Sequence, residues 1–460
     1  MGKMQKKEFI IRGFTQEVIM GKNKYVFWGL VITTLISALD ANIMQTASPT
    51  IVKQLGGMQL FAWIFVVYML ASTVTVPLYG KLSDMYGRKK LLIIAVGIFT
   101  LGSILCGMAN SMVTLVIYRG IQGLGAGGMI PLSMIIVGDL FTIEKRGKIQ
   151  AVFSSIWALS SIVGPVLGSF FVEALTWRWI FFINIPIGIA TVLCLIPYKE
   201  QVQFKKTYID YKGFFLFGIA ITLLLLATNV SNPLWYAAAG LVVLLIFILV
   251  ERRESYPFLP VSLFKNKGIF RTNLFMLVYC VSFFGTSNFI PLFLQEGNNM
   301  SIYKSGLILL SIAVGWMFGS TPAGNWIIRF GYKKLFIIGS FITVFSGLAL
   351  YIFVQDISYA SLFMILTVQG FSFGLLFAVG TIASQEFADA DIKGISTSLQ
   401  MFLRNIGTSI GVTIMGVLIN QAANVVIGMQ NVFLFALIFS IITVILSFLI
   451  PAKTPAAQAI

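Results

Sequence analysis

Histidine is absent from the 460-residue chain, and cysteine nearly so: Cys106, Cys194 and Cys280 each stand alone in an apolar stretch. The first absence removes His-based catalytic triads and the zinc-protease signature. The second leaves no CxxC pair and no even framework for a disulfide or a metal site. No Gly-Lys pair is followed by Ser or Thr in a GxxxxGK[ST] frame, so no P-loop couples the chain to ATP. The sequence therefore implies no enzyme, no metal and no cofactor, and whatever it moves must be driven by a gradient.

Charged residues are only 10% of the chain, whereas hydrophobic residues make up 58% and the mean hydropathy is +0.93. That exceeds what the core of a soluble fold of this length requires and marks an all-helical membrane protein. Apolar runs near the roughly 20 residues needed to cross a hydrocarbon layer fall at 25–46, 61–79, 91–109, 113–136, 150–172, 179–197, 213–230, 234–250, 272–294, 303–324, 335–354, 359–382, 395–420 and 431–450. This predicts fourteen transmembrane helices. The short pair 213–230 and 234–250 leaves open a twelve-helix reading with one re-entrant hairpin. Lys53, Arg178 and Lys304 are the cations of the outer loops, Arg119 and Arg404 fall inside spans, and the remainder of the 32 Lys and Arg lie in inner segments. Inner loops retain cations, so both termini are expected in the cytoplasm. The same distribution explains the net charge of +16 through the anionic inner leaflet and excludes a nucleic-acid groove. The basic tail 1–24 lacks a separate cleavable apolar core, so no signal peptide is expected.

Two polar knots interrupt the apolar pattern, GKLSDMYGRKK at 80–90 and GNWIIRFGYKK at 324–334, half a chain apart. Their shared glycine frame and closing Lys-Lys indicate a duplicated bundle. The first copy, with Gly80, Asp84, Gly87, Arg88 and Lys89, resembles the loop signature of the major facilitator superfamily. LDANIMQTASPTI (39–51), IYRGIQGLGAGG (117–128) and GPVLGSFF (164–171) resemble stretches of its fourteen-helix drug:proton antiporter family. WRWIFFINIPIG (177–188), FIPLFLQE (289–296) and ISTSLQMFLRNIGTSIGVTI (395–414) are similar to further landmarks. The resemblance implies a basic tail at 1–24, a six-helix domain at 25–200, a linker with two extra helices at 201–260, a second six-helix domain at 261–450 and a tail at 451–460. It further implies alternating access around a central cavity. In that scheme Asp84 is a conformational latch facing the N-terminus of a helix that begins near Gly394, with Arg88 bracing the carboxylate. Lys89 and Lys90 serve equally well as plain topogenic charges. Ile328 occupies the position of Asp84 in the second copy, so the latch is expected in the first copy only. Gly164, Pro165 and Gly168 form the antiporter motif, in which Pro165 removes a backbone donor and bends the helix. Ser160 and Ser169 stand where the fuller signature has glycines, a departure that loosens the expected helix contact.

Ionisable residues inside spans are costly and seldom idle. Asp40 is the candidate proton carrier, because burial favours the neutral carboxyl; a permanently hydrogen-bonded structural aspartate is the alternative. Arg119 cannot shed its proton and is expected to tune that site, or else to tie down neighbouring carbonyls. Glu173 and Glu296, at outer span ends, are secondary proton or substrate candidates, and Asp139 is expected to pair with basic residues at an inner end. The paired glycines of GLGAG, GWMFG, GFSFG and GTSIG are read as close helix contacts. Gln45, Gln122, Trp157, Phe284, Asn288 and Arg404 are the candidate cavity residues, with packing the alternative for the aromatics and snorkelling toward the cytoplasm for Arg404. A cavity holding Arg404 with no acidic residue in the spans 303–324 and 395–420 suits a neutral, zwitterionic or anionic amphiphile as well as a cation. These features predict a monomeric, proton-driven exporter of hydrophobic or amphiphilic compounds in a bacterial cytoplasmic membrane, contacting lipid and no nucleic acid. The alternatives are an exporter of one lipid-like or anionic metabolite and a non-transporting receptor or scaffold.

Overall fold

The computed structural model describes residues 24–452 apart from 57–59, 61–62, 201–209, 228–232, 255–256, 258–260, 298–299, 301–303, 305–306, 356 and 390–391. The tails 1–23 and 453–460 lie outside these residues, as do the side chains of Gln45, Pro165 and Glu296. The described chain is helical: α1 (Lys24–Leu55), α2 (Trp63–Tyr86), α3 (Arg88–Gly107), α4 (Met112–Leu140), α5 (Ile143–Ala174), α6 (Trp179–Phe182), α7 (Asn184–Leu195), α8 (Tyr211–Leu226), α9 (Pro233–Glu251), α10 (Val261–Lys265) and α11 (Lys267–Leu292) come first. A π-helical turn (Phe293–Gly297) follows Pro291, and α12 (Leu309–Ser320), α13 (Ala323–Phe353), α14 (Tyr359–Glu386), α15 (Lys393–Asn420) and α16 (Val425–Leu449) complete the order.

Helix covers all or part of each of the fourteen expected spans. Among the described residues nine helices are long and apolar enough to cross a membrane, and four shorter apolar helices accompany them, Trp179–Leu195, Tyr211–Leu226, Trp235–Glu251 and Leu309–Ser320. Helix α5 is as long as any, but it opens on Glu144, Lys145, Arg146 and Lys148 and carries Ser154, Ser155, Ser160, Ser161 and Ser169. The ends are set by local chemistry. Asp210, Asn266, Ser358 and Asn424 each accept a backbone N–H at a helix start, which satisfies donors that have no partner within the helix. Many hydroxyls inside the apolar helices donate back one turn, as Thr33 does to the Gly29 carbonyl, Ser133 to Met129 and Ser340 to Phe336, so these bring no unpaired donor into oil.

The duplication is visible in the backbone. Gly87 separates α2 from α3 at φ 101°, and Gly331 kinks α13 at φ 76°. These are matching positions of the two knots, and a side chain is disfavoured at both.

Contacts divide the chain into two units that interleave along the sequence: residues 1–72, 86–136 and 159–204 form the first, and 73–85, 137–158 and 205–460 the second. The first holds an apolar core drawn from α1 to α6 and the turn before α6, including Leu39, Ile43, Ile64, Cys106, Phe171, Trp177 and Phe181. In the second, α12 packs on α14 through glycines on both helices. A Cβ at Gly315 would fall on the Thr367 carbonyl and one at Gly374 on that of Trp316. Gly407 and Gly411 of α15 lie as closely on the Leu277 and Val281 carbonyls of α11, the close approach that small residues permit.

Candidate functional site

Asp40 sits in the middle of α1, 4% exposed, and its carboxylate is fully engaged. Arg119 Nη1 donates to its Oδ2 at 3.0 Å, while the Gln122 and Asn184 carboxamides donate to Oδ1 at 2.8 and 3.4 Å. Both carboxamides also reach the Ser103 hydroxyl, at 2.8 and 3.0 Å. Arg119 donates at 2.7 Å to Gln122 Oε1, its Nε reaches the Ile64 carbonyl at 3.5 Å, and its guanidinium lies 4.1 Å above the Tyr68 ring. Local sequence explains the assembly. Arg119 and Gln122 are three residues apart on α4 and therefore share a face. Gly102 leaves no room for a side chain against the Gln122 backbone, which lets α3 bring Ser103 to the carboxamide. A buried ion pair of this kind is costly to break from one side only, roughly 3–5 kcal/mol, because the remaining charge loses its partner. Here Gln122 already holds the guanidinium, so Arg119 keeps an acceptor if Asp40 takes a proton.

A second assembly, within the second unit, gathers around the N-terminus of α15. The Gly394 and Ile395 amides donate to Asp84 Oδ1 and Oδ2 at 3.0 and 2.9 Å, so the carboxylate of one knot caps a helix more than 300 residues downstream. Gly80, one turn before Asp84, permits this: a Cβ there would collide with Ser398. Lys393 donates to the Gly138 carbonyl at 2.9 Å and pairs with Asp139 at 3.3 Å. Arg146 completes the assembly by donating to Glu386 at 2.7 Å, to Gln385 at 3.3 Å and to the Phe141 and Gly138 carbonyls. The second knot makes the matching approach without a carboxylate. Gly324 leaves no space against the Ile143 carbonyl and Glu144 at the start of α5, Ile328 is exposed, and α5 carries its own acid, Glu144, in the first turn.

The other expected residues are scattered. Gln122, expected at the cavity wall, is fully buried and committed to Asp40, Arg119 and Ser103. Asn288 is exposed and donates to the Phe284 carbonyl of its own helix. Glu173 is exposed and Trp157 is half-buried. Gly164 packs against Asn42 of α1 with no space for a side chain, and Gly168 is buried. Arg88 is 1% exposed at the start of α3, in the first unit. Beside it, Glu200 accepts from the Lys89 amide, and the Lys89 ammonium donates to the Ile196 and Tyr198 carbonyls. Arg404 is buried on α15, its guanidinium 3.7 Å above the Phe377 ring. Sequence reasoning missed Tyr68, Ser103 and Asn184 around Asp40, and Arg146, Gln385, Glu386 and Lys393 around Asp84. Asn184 had a signal, being the one polar side chain in the apolar half of WRWIFFINIPIG.

The chain matches the family model of the Major Facilitator Superfamily over residues 30–321 and again over 272–459. It is 34% identical over 416 residues to the multidrug transporter protein MdtP of Bacillus subtilis (strain 168), covering 88% of this chain and 77% of that protein. Over 404 residues it is also 34% identical to multidrug resistance protein 3 of the same strain, with 85% and 79% covered. Among solved structures it is similar to the human organic anion transporter MFSD10 (TETRAN), at a TM-score of 0.67 and 15% identity, covering 91% of this chain and 99% of that one.

Proposed function

This chain belongs to the Major Facilitator Superfamily and is a multi-pass membrane transporter, and on that premise we propose that it is a proton-coupled antiporter exporting hydrophobic or amphiphilic compounds. The reading includes fourteen membrane helices, cytoplasmic termini, six-helix domains at 25–200 and 261–450 joined by the two-helix linker 201–260, and a place in a bacterial cytoplasmic membrane. The multidrug names of its relatives support drug-like cargo. The observation that carries the coupling is the buried triangle of Asp40, Arg119 and Gln122. Protonation of Asp40 cancels the attraction to Arg119, and Gln122, which can accept as well as donate, keeps the guanidinium from being stranded. A proton on Asp40 thereby weakens the α1–α4 contact without leaving Arg119 unpartnered. Asp84 supplies the conformational counterpart, since its two bonds to the α15 N-terminus hold only while the inner ends stay together. Protein in liposomes with an imposed pH gradient tests this reading against a panel of amphiphiles such as ethidium. Accumulation must follow the gradient and vanish when an ionophore collapses it; accumulation indifferent to the ionophore refutes the coupling.

A further inference from the structure

Among the described residues Arg119 and Arg404 are the two arginines buried deep in apolar helices, and their surroundings differ in kind. Arg119 has a carboxylate, a carboxamide and a carbonyl. Arg404, 8% exposed, has an aromatic ring beneath it and no hydrogen-bond acceptor at Nη1. Of the helices packed on α15, α11, α14 and α16 carry one acid between them, Glu386 at the end of α14, which belongs to Arg146; Asp84 of α2 and Asp139 of α4 are held at the first turn of α15, and Glu251 of α9 lies across the cavity on its other side. One turn before Arg404 on the same face, Gln400 is fully buried with neither its oxygen nor its nitrogen bonded. The Trp316 indole N–H is buried and unbonded as well, and its ring lies 5.3 Å from that of Phe377. The fully buried Phe373, 4.9 Å from Trp316, joins it to the half-buried Phe284, 5.2 Å from Phe373. The opposite side of α15 is different: Phe402, Leu403 and Ile406 line an apolar cavity of about 660 Å³ against α8 and α9.

A guanidinium cannot neutralise itself by losing a proton, and buried donors without acceptors are rare because each is costly. Three side chains on one patch share the defect, and all three can donate. What they lack is an oxyanion, and the aromatic surface beside them fits an apolar body. We propose that Arg404, Gln400 and Trp316 form a receptor for the carboxylate of an anionic amphiphile whose ring or chain lies against Phe377 and Phe284. This assigns the cargo of the exporter reading to acids and rests on that reading for its role in transport, while the binding site stands independently of it.

Three probes with one body separate the possibilities: 1-pyrenebutyrate, 1-pyrenebutanol and 1-pyrenebutylamine, titrated by energy transfer from tryptophan onto the full chain in phosphatidylcholine nanodiscs. A charge-assisted bond predicts that the acid binds roughly tenfold or more tightly than the alcohol, with the amine weakest. Arg404→Gln removes that difference, Arg404→Lys keeps the order acid, alcohol, amine, and Gln400→Leu narrows it. An amine that binds as tightly as the acid in the unmodified protein overturns the proposal without any variant, as does an Arg404→Gln protein that still prefers the acid. Displacement of the acid by phosphatidylglycerol at nanodisc levels would also overturn it, assigning the site to a lipid headgroup. Binding is read without a gradient, so transport that ignores the gradient refutes the coupling and leaves this site standing, whereas gradient-driven export of ethidium with no preference for the acid does the reverse.

Discussion

Replacing Asp84 by Ala removes two bonds between a carboxylate and the first amides of α15, at 3.0 and 2.9 Å. Loss of an N-terminal cap costs roughly 0.5–2 kcal/mol, and a carboxylate at a helix start adds roughly 0.3–1 kcal/mol. Together they destabilise this contact by about 2 kcal/mol, roughly 30-fold in its equilibrium. Because the contact is held over a long sequence separation, the loss is expected as local opening with the fold intact. Hydrogen exchange by mass spectrometry reads this directly. Peptides over 393–400 and 138–149, where Lys393, Arg146 and Gly138 meet, are expected to exchange roughly 30-fold faster in the variant, with α3 and α16 unchanged. Asp84→Asn keeps one acceptor oxygen and is expected to give a smaller increase. Unchanged protection at 393–400 in a folded Asp84→Ala protein would refute the reasoning.

Asp40→Asn and Arg119→Gln are each expected to lower the thermal midpoint, with the double variant less destabilised than the sum of the two by roughly 1–3 kcal/mol; strict additivity would show that the pair is not coupled. Arg146→Ala is expected to open the same segments as Asp84→Ala in hydrogen exchange, and Arg146→Lys to rescue little, because a point charge cannot reach Glu386, Gln385 and two carbonyls at once. Gly374→Leu is expected to cost about 2 kcal/mol or more in thermal or denaturant stability, since its side chain must enter the Trp316 backbone.

The apolar runs and the repeated knot were legible because each is a local property: a helix across oil needs its length in every family, and a left-handed turn selects glycine at both Gly87 and Gly331. Asp40 and Arg119 were legible as singular charges in oil. Their partnership was not, because the pairing depends on how α1 packs against α4. Gln122 illustrates the limit. Its place in α4 suited a cavity wall, and its commitment to Asp40, Arg119 and Ser103 depends on how α1 and α3 pack against it, α3 coming close at Gly102. Around Asp84 the basic residues hid in plain view: Arg146 and Lys393 look like any inner-loop cations until the Gly138 carbonyl, which both of them reach, brings them together.

Proton coupling as proposed requires Asp40 to exchange a proton when cargo binds. Purified protein in weakly buffered solution, with a pH-sensitive dye reporting on the medium, is mixed with a transported amphiphile at saturating concentration. The account predicts proton release by the unmodified protein and none by Asp40→Asn, although the variant still binds the compound. Equal release from both proteins would contradict it.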